Sequence, residues 1–259
     1  MVCENENHRT GYGDRYVAYL DIMGYSELVR EAGRSANPMA TIDRVREAVS
    51  KVQLDHGRFH DWGALEGVTT KVFSDSIIIS SPGDQRGCFD AIRWTMNVVA
   101  RLAHRDLWLR GAITFGAHYD EGGVLFSPAL VKAYEMEQKD AFYPRVLVTQ
   151  SVIQTCRAEP DTDRREWLLS AIQRDHDRAY FLNYLALIMP GAIRQSDEHQ
   201  LLWTHKAHIE DRLKKHRNQP RIAAKYGWLA DYHNRFCERA LDDEGARTYL
   251  IKESLKWEK

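Results

Sequence analysis

The first apolar run of the chain, Tyr16–Ile22 (YVAYLDI), is rich in β-branched and aromatic residues and ends at Met23-Gly24, which predicts a buried strand. Tyr25–Ala32 and Thr41–Val52 follow with helical spacing. In the second, Ile42, Val45, Val49 and Val52 recur at helical steps. Val68–Phe73 and Ser76–Ser80 read as two strands joined through Ser74-Asp75. Cys88–Leu102 carries Ile92, Met96, Val99 and Leu102 on one helical stripe. Leu107–His118 is a further strand, closed by the turn signature Asp120-Glu121-Gly122-Gly123. Pro128–Glu137 predicts a helix with proline in its first turn, and Arg145–Thr149 a short strand.

That order predicts an α+β fold built on a mostly antiparallel, ferredoxin-like sheet with helices on one face. Past about residue 158 the pattern changes. EPDTDRRE (159–166) reads as a polar linker, Tyr180–Met189 as one strand-like run and Ser196–Lys215 as a charged helix. Ile222–Leu241 reads as a second helix whose Trp228, Leu229, Tyr232 and Phe236 form a packing stripe. The expected division is a core over 1–158 and an α-rich C-terminal extension over 159–259, packed on that core.

Charge narrows the function classes. The 259 residues hold 36 Lys+Arg against 37 Asp+Glu, a net charge of −1. That balance argues against a nucleic-acid partner bound through bulk positive charge. It leaves room for a small polyanion such as a nucleoside triphosphate, which a few donors and a metal can hold. No apolar run is long enough to span a membrane, and the polar N-terminus MVCENENHRT has no secretory core, so a cytoplasmic location is expected. Cys3, Cys88, Cys156 and Cys237 lie far apart, which argues against structural zinc. His205 and His208 read as a solvated helix face.

Two acids interrupt apolar β context: Asp21 in YVAYLDIMG and Asp75 in KVFSDSIIIS. In a ferredoxin-like sheet the first and third strands are antiparallel neighbours. Asp21 ends the first and Asp75 opens the third, so their carboxylates are expected to meet. Two such carboxylates repel each other unless divalent metal neutralises them, the arrangement that two-metal phosphoryl chemistry uses. The structural alternatives are that Asp21 caps the next helix and that Asp75 merely occupies a hairpin turn. Gly24, between strand and helix, lets backbone N–H groups approach phosphate oxygens.

Y-L-D-I-M-G-Y-S-E-L (Tyr19–Leu28), K-V-F-S-D-S (Lys71–Ser76) and L-R-G-A-I-T-F-G (Leu109–Gly116) resemble three motifs of the class III adenylate and guanylate cyclases. The likeness spans about residues 15–150. It implies that Asp21, Asp75 and the Ile22 carbonyl hold two Mg²⁺ or Mn²⁺ ions, and that N–H groups around Gly24 and Tyr25 hold the β- and γ-phosphates. Lys71 matches the family's base-reading lysine. Val131 and Glu135 stand where the family places its ribose-binding Asn and transition-state Arg, and Val124 where adenylate cyclases place a base-reading Asp. Together with P-A-L-V-K-A-Y-E, Y-P-R-V and the K-Y-x-W-L tail, the pattern is similar to the bacterial pyrimidine cyclases of Pycsar anti-phage systems. That resemblance implies UTP or CTP as substrate, a cyclic monophosphate read by a separate effector protein, and a homodimer with sites at the subunit interface.

Arg110, Lys132, Arg145 and Lys225 are the candidates for the cationic role that Glu135 leaves unfilled, with Arg145 the one expected to act in catalysis. Lys132 and Tyr134 are expected to contact substrate, Lys132 by pointing away from a core face formed by Ala129 and Ala133. The competing functions are a degenerate cyclase fold that senses a nucleotide, a purine cyclase, and a palm-type nucleotidyl transferase. The last is disfavoured because the chain has no basic and aromatic track for a strand of nucleic acid.

Overall fold

The computed structural model describes residues 11–54, 65–188, 195–241 and 243–252; Cys3 and Met189 fall outside them. Strand β1 (Gly13–Ile22) leads through helices α1 (Tyr25–Arg34) and α2 (Pro38–Leu54) to the hairpin β2 (Thr69–Phe73) and β3 (Ser76–Pro82). Helix α3 (Gln85–Ala103) follows, then β4 (Leu109–Glu121), β5 (Val124–Phe126), α4 (Pro128–Asp140) and β6 (Val146–Val148). The rest comprises α5 (Gln150–Arg157), α6 (Thr162–Ser170), β7 (Ile172–Arg174), β8 (Tyr180–Leu182), a 3₁₀ segment at Tyr184–Ile188, α7 (Gln195–Lys215), α8 (Pro220–Ala240) and α9 (Asp243–Tyr249).

The sheet order is β2-β3-β1-β4-β6-β8-β7, with β5 paired to β4. Its first four strands are antiparallel in the order expected of a ferredoxin-like βαββαβ unit, so the fold is α+β as predicted. β6 then adds parallel to β4, and β7 and β8 carry the same sheet into the region past residue 158.

Strand periodicity sorts β1 into two faces. Tyr16, Ala18, Leu20 and Ile22 join Ile77 and Ile79 in the core beneath α3, whose Phe89, Ile92, Trp94 and Met96 are fully buried. Asp84 caps α3 by accepting from Gly87 N at 2.7 Å. Residues 17, 19 and 21 face the other way, toward α4: Thr114 Oγ1, on the residue paired with Val17, donates to the Ala129 carbonyl at 2.7 Å. The helices therefore cover both faces, where the sequence reading put them on one. The short α4 packs on the second face against β1 and β4, and Asp21 at the end of β1 stays partly exposed.

Three further expectations change. The 159–166 segment is no simple linker, because Asp161 accepts from Arg164 N at 2.9 Å and starts α6. The run from Tyr180 breaks after Leu182 into the 3₁₀ segment, where Asn183 N donates to Ala171 O and Ala186 N to Asn183 O. His205 is fully buried and not on a solvated face. The short elements α5 and β7 had no clear periodicity to announce them. The Trp228–His233 stripe packs inward as expected. Among the described residues no helix is long and apolar enough to cross a membrane.

Candidate active site

The two acids are brought together by register. Asp21 is the penultimate residue of β1, opposite Ser76 on β3 and Arg110 on β4. Asp75 is the second residue of the two-residue β2–β3 turn, and its carbonyl accepts from Ile22 N at 2.9 Å. Ser74, ahead of it, takes a left-handed conformation at φ 55°. Asp75 thus does occupy a hairpin turn, yet that turn delivers it to the end of β1. Asp21 does not cap α1: the cap is Gly24, with φ 73° and no side-chain hydrogen bond. Nothing lies within 4 Å of where a Gly24 Cβ would stand. The N-terminus of α1 beside Asp21 thus carries no side-chain cap, the kind of helix end that suits an anion.

Arg110 organises the acids. Its Nε donates to Asp21 Oδ2 at 3.3 Å and lies 2.6 Å from Glu137 Oε1. Gly111 permits this approach, since a Cβ there would strike the Tyr19 carbonyl at 2.1 Å. Glu137 is fully buried on α4. Sequence reasoning missed it, although Ala129, Ala133 and Glu137 recur every four residues along the inward face of that helix. Burial pushes the Asp21 carboxyl up, Arg110 draws it back down, and Asp75 raises it again. Burial likewise raises Glu137, with Arg110 opposing and Asp21 adding. Tyr19 donates to or accepts from Ser76 Oγ at 2.9 Å and stacks edge-on to Tyr134, centroids 5.4 Å apart.

The remaining expected residues divide. Lys71 lies on the same sheet face but is paired with Asp120 of β4. Ala129 and Ala133 are buried and Lys132 is exposed, as expected. Lys132 lines a groove with Leu125, Phe126, Ser127, Pro128, Val131 and Glu135, at the start of α4 where Ser127 accepts from Leu130 N at 3.0 Å. Tyr134 is half-exposed. Arg145 is not with the acids. It is buried, its terminal nitrogens pair with Asp175 and Asp177, and its guanidinium lies over Tyr143 and Trp228 at 5.4 and 5.9 Å. Lys225 carries a lowered pKa from burial and from Arg110, opposed by Asp21 and Glu137, which puts its ammonium in the field of the acid cluster.

Among the described residues no three His, Cys, Asp or Glu side chains gather to hold a metal unaided. Asp21 and Asp75 are the carboxylates that could hold Mg²⁺ or Mn²⁺ jointly with substrate phosphates. The raised Asp21 pKa fits such a role, because its buried charge lacks full compensation.

No protein-family model matches the chain, and no curated protein matches it. Among solved structures, a class III adenylyl cyclase-like ATP-binding protein from Pseudomonas aeruginosa matches at 10% identity and TM-score 0.41, over 59% of this chain and 37% of that protein. This chain thus spans well under half of that protein's length. The monomeric guanylyl cyclase domain of the RhoGC fusion protein from the aquatic fungus Blastocladiella emersonii matches at 12% identity and TM-score 0.44, over 66% of this chain and 95% of that domain. The catalytic core of a rhodopsin-guanylyl cyclase with converted specificity, in complex with ATPalphaS, matches at 12% identity and TM-score 0.41, over 66% and 96%.

Proposed function

We propose that this chain is a metal-dependent nucleotide cyclase that converts UTP, or CTP, to the 3′,5′-cyclic monophosphate and pyrophosphate. The observation that carries the reading is the meeting of Asp21 and Asp75 at adjacent strand ends, beside the uncapped N-terminus of α1. Asp21, Asp75 and the Ile22 carbonyl would hold two Mg²⁺ or Mn²⁺ ions, which when bound acidify the ribose 3′-hydroxyl and neutralise the triphosphate. In the reaction the 3′-oxygen loses its proton and bonds to the α-phosphorus, while the bond to the pyrophosphate oxygen breaks. Backbone N–H groups at Gly24 and Tyr25 orient the β- and γ-phosphates. Arg110, held by Glu137, keeps Asp21 aimed outward.

The pyrimidine preference rests on the sequence pattern, with Val124, Val131 and Glu135 replacing purine-cyclase residues. Lys132 and Tyr134, exposed on α4, suit contact with substrate held by a second copy of the chain, hence a homodimer. Cytoplasmic action against phage, through a separate effector that reads the product, belongs to the same reading. Incubation with each of the four triphosphates and Mn²⁺ tests it: a cyclic pyrimidine nucleotide is expected, and its absence, or undiminished activity in Asp75→Ala, refutes it.

A second reading is nucleotide sensing without turnover. Arg110 already shares the Asp21 carboxylate, and Glu135, at the family's Arg position, is paired with Lys139 at 3.2 Å. Triphosphate-dependent thermal stabilisation with no pyrophosphate release would favour it.

A further inference from the structure

The C-terminal region reaches the acid cluster through one side chain. Helix α8 is fixed in rotation by its aromatic stripe. Trp228 stacks on Tyr143 at 5.8 Å with planes 14° apart, and its Nε1 donates to Asp175 Oδ2 at 2.7 Å. Tyr232 donates to Asn183 Oδ1 at 2.8 Å. With Tyr226, Trp228, Leu229 and Tyr232 buried, Lys225 in the second turn is left half-buried toward Phe142, its Nζ 5.4 Å from the ring centroid. Phe142 follows closely on the end of α4, which carries Glu137. Strand β4 with Arg110 and helix α4 with Glu137 meet at Asp21, and Lys225 of α8, held over Phe142 just past the end of α4, interacts electrostatically with all three.

What distinguishes Lys225 is the lack of an acceptor at a half-buried position; Lys132 also makes no ion pair among the described residues, but it is exposed. Lys71, Lys139, Lys206 and Lys215 hold Asp120, Glu135, the Thr248 carbonyl and Glu31 respectively. Lys225 makes no hydrogen bond or ion pair among the described residues, and the Phe142 ring face lies against it. A half-buried ammonium with three unused donors is costly to keep unless an anion arrives. Its electrostatic partners are Asp21 and Glu137, which attract it, and Arg110, which repels it. The α4 position at which the resemblance expects an Arg holds Glu135.

We infer that Lys225 is a ligand of the nucleotide's triphosphate chain, supplied to the Asp21–Asp75 site by the C-terminal region of the same chain. This rests on the reading of that site as a nucleotide site. A compact ammonium with rotatable donors suits phosphate oxygens, and Phe142 holds it in place while the site is empty of anion. The C-terminal region thereby acquires a role at the site and is more than a cover for the sheet.

The test is calorimetric titration of full-length parent, Lys225→Ala and Lys225→Arg with UTP, CTP and inorganic tripolyphosphate in the presence of Mn²⁺, with melts of each protein free of ligand. Lys225→Ala should weaken binding of nucleotide and tripolyphosphate alike by about 10- to 100-fold, as expected for a charged hydrogen bond. Lys225→Arg should restore most of it. The ligand-free melting temperature should stay within a few degrees, since no ion pair is lost. Binding by Lys225→Ala within about twofold of parent would overturn the inference, as would a weakening accompanied by a fall in melting temperature that Lys225→Arg does not restore. If the parent binds triphosphate without forming cyclic product, the cyclase reading falls while Lys225 keeps its role. If the parent binds no triphosphate, both fall.

Discussion

Two arginine–carboxylate clusters lie on one sheet, and they are built to opposite standards. Arg145 is 1% exposed, its terminal nitrogens are taken by Asp175 and Asp177, aromatic rings lie against it, and Asp175 accepts further from Trp228. Arg110 is 24% exposed, and a single nitrogen serves both Asp21 and Glu137. The first cluster commits both terminal nitrogens of its arginine to carboxylates and joins β6, the β7–β8 hairpin and α8. The second is short of positive charge, opens to solvent at Asp21 and adjoins an uncapped helix end. Saturated charge marks structure, and under-compensated charge beside open space marks a site.

Substitution separates the two most sharply. On the proposed reading, Asp75→Asn should lower turnover of triphosphate by several kcal/mol of transition-state stabilisation, about 1000-fold, with an unchanged melting temperature. Asp21→Asn should do the same and also be at least as stable as parent near neutral pH without metal. The sign follows from the raised Asp21 pKa: ionisation costs stability as pH climbs from the ordinary carboxylate range through the raised value, and Asn escapes that cost. Mn²⁺ should raise the melting temperature of the parent and leave Asp21→Asn unmoved. Arg145→Met should instead destabilise the fold by about 3–5 kcal/mol, because it strands a buried Asp175. Denaturant titration of both variants checks the contrast, and a stable, inactive Arg145→Met protein would reverse it.

A smaller effect tests how firmly α8 is held. Tyr184, His205, His233 and the Tyr249 carbonyl form one chain of contacts at 2.6, 3.0 and 3.0 Å. Since the carbonyl must accept from His233 Nε2, the consistent assignment has both rings neutral, each passing one hydrogen bond along. Burial lowers His233 from 6.5 to about 4 and lowers His205 as well. Unfolded, these rings take up protons below about 6.5, so the stability they allow is complete above that pH and is lost as pH falls toward about 4. The loss from His233 alone should approach about 3 kcal/mol, read from melts across that range. His233→Gln should flatten the profile.

The legible parts of this molecule were those set by local periodicity. The apolar, β-branched and aromatic run YVAYLDI and the stripe Ile92, Met96, Val99 announce β1 and α3, and the antiparallel β1–β3 pairing follows from element order. That pairing alone placed Asp21 beside Asp75. Arg145 was misplaced because strand position says nothing of which carboxylates arrive from 30 residues downstream, and Asp175 and Asp177 lie in a loop without pattern. Glu137 escaped because an acid on an alanine stripe resembles surface until the helix is docked. His205 and the β8–3₁₀ break were hidden for the same reason: long-range packing, and not propensity, decides them.

Lys71 gives the finest division between the two kinds of charge. It lies on the Asp21 face yet is paired with Asp120, an exposed contact of the sort worth about 0–1 kcal/mol. A lysine that reads a base must let go of that partner at little cost, and this one can. Lys71→Gln should therefore change stability by less than about 1 kcal/mol. If Lys71 meets the base, the same variant should shift the ratio of kcat/KM for UTP over CTP by a few-fold, because an amide both donates and accepts where an ammonium only donates. An unchanged ratio would leave Lys71 a surface ion pair and move base selection to the groove along α4, where Val131 and Lys132 would be the next residues to exchange.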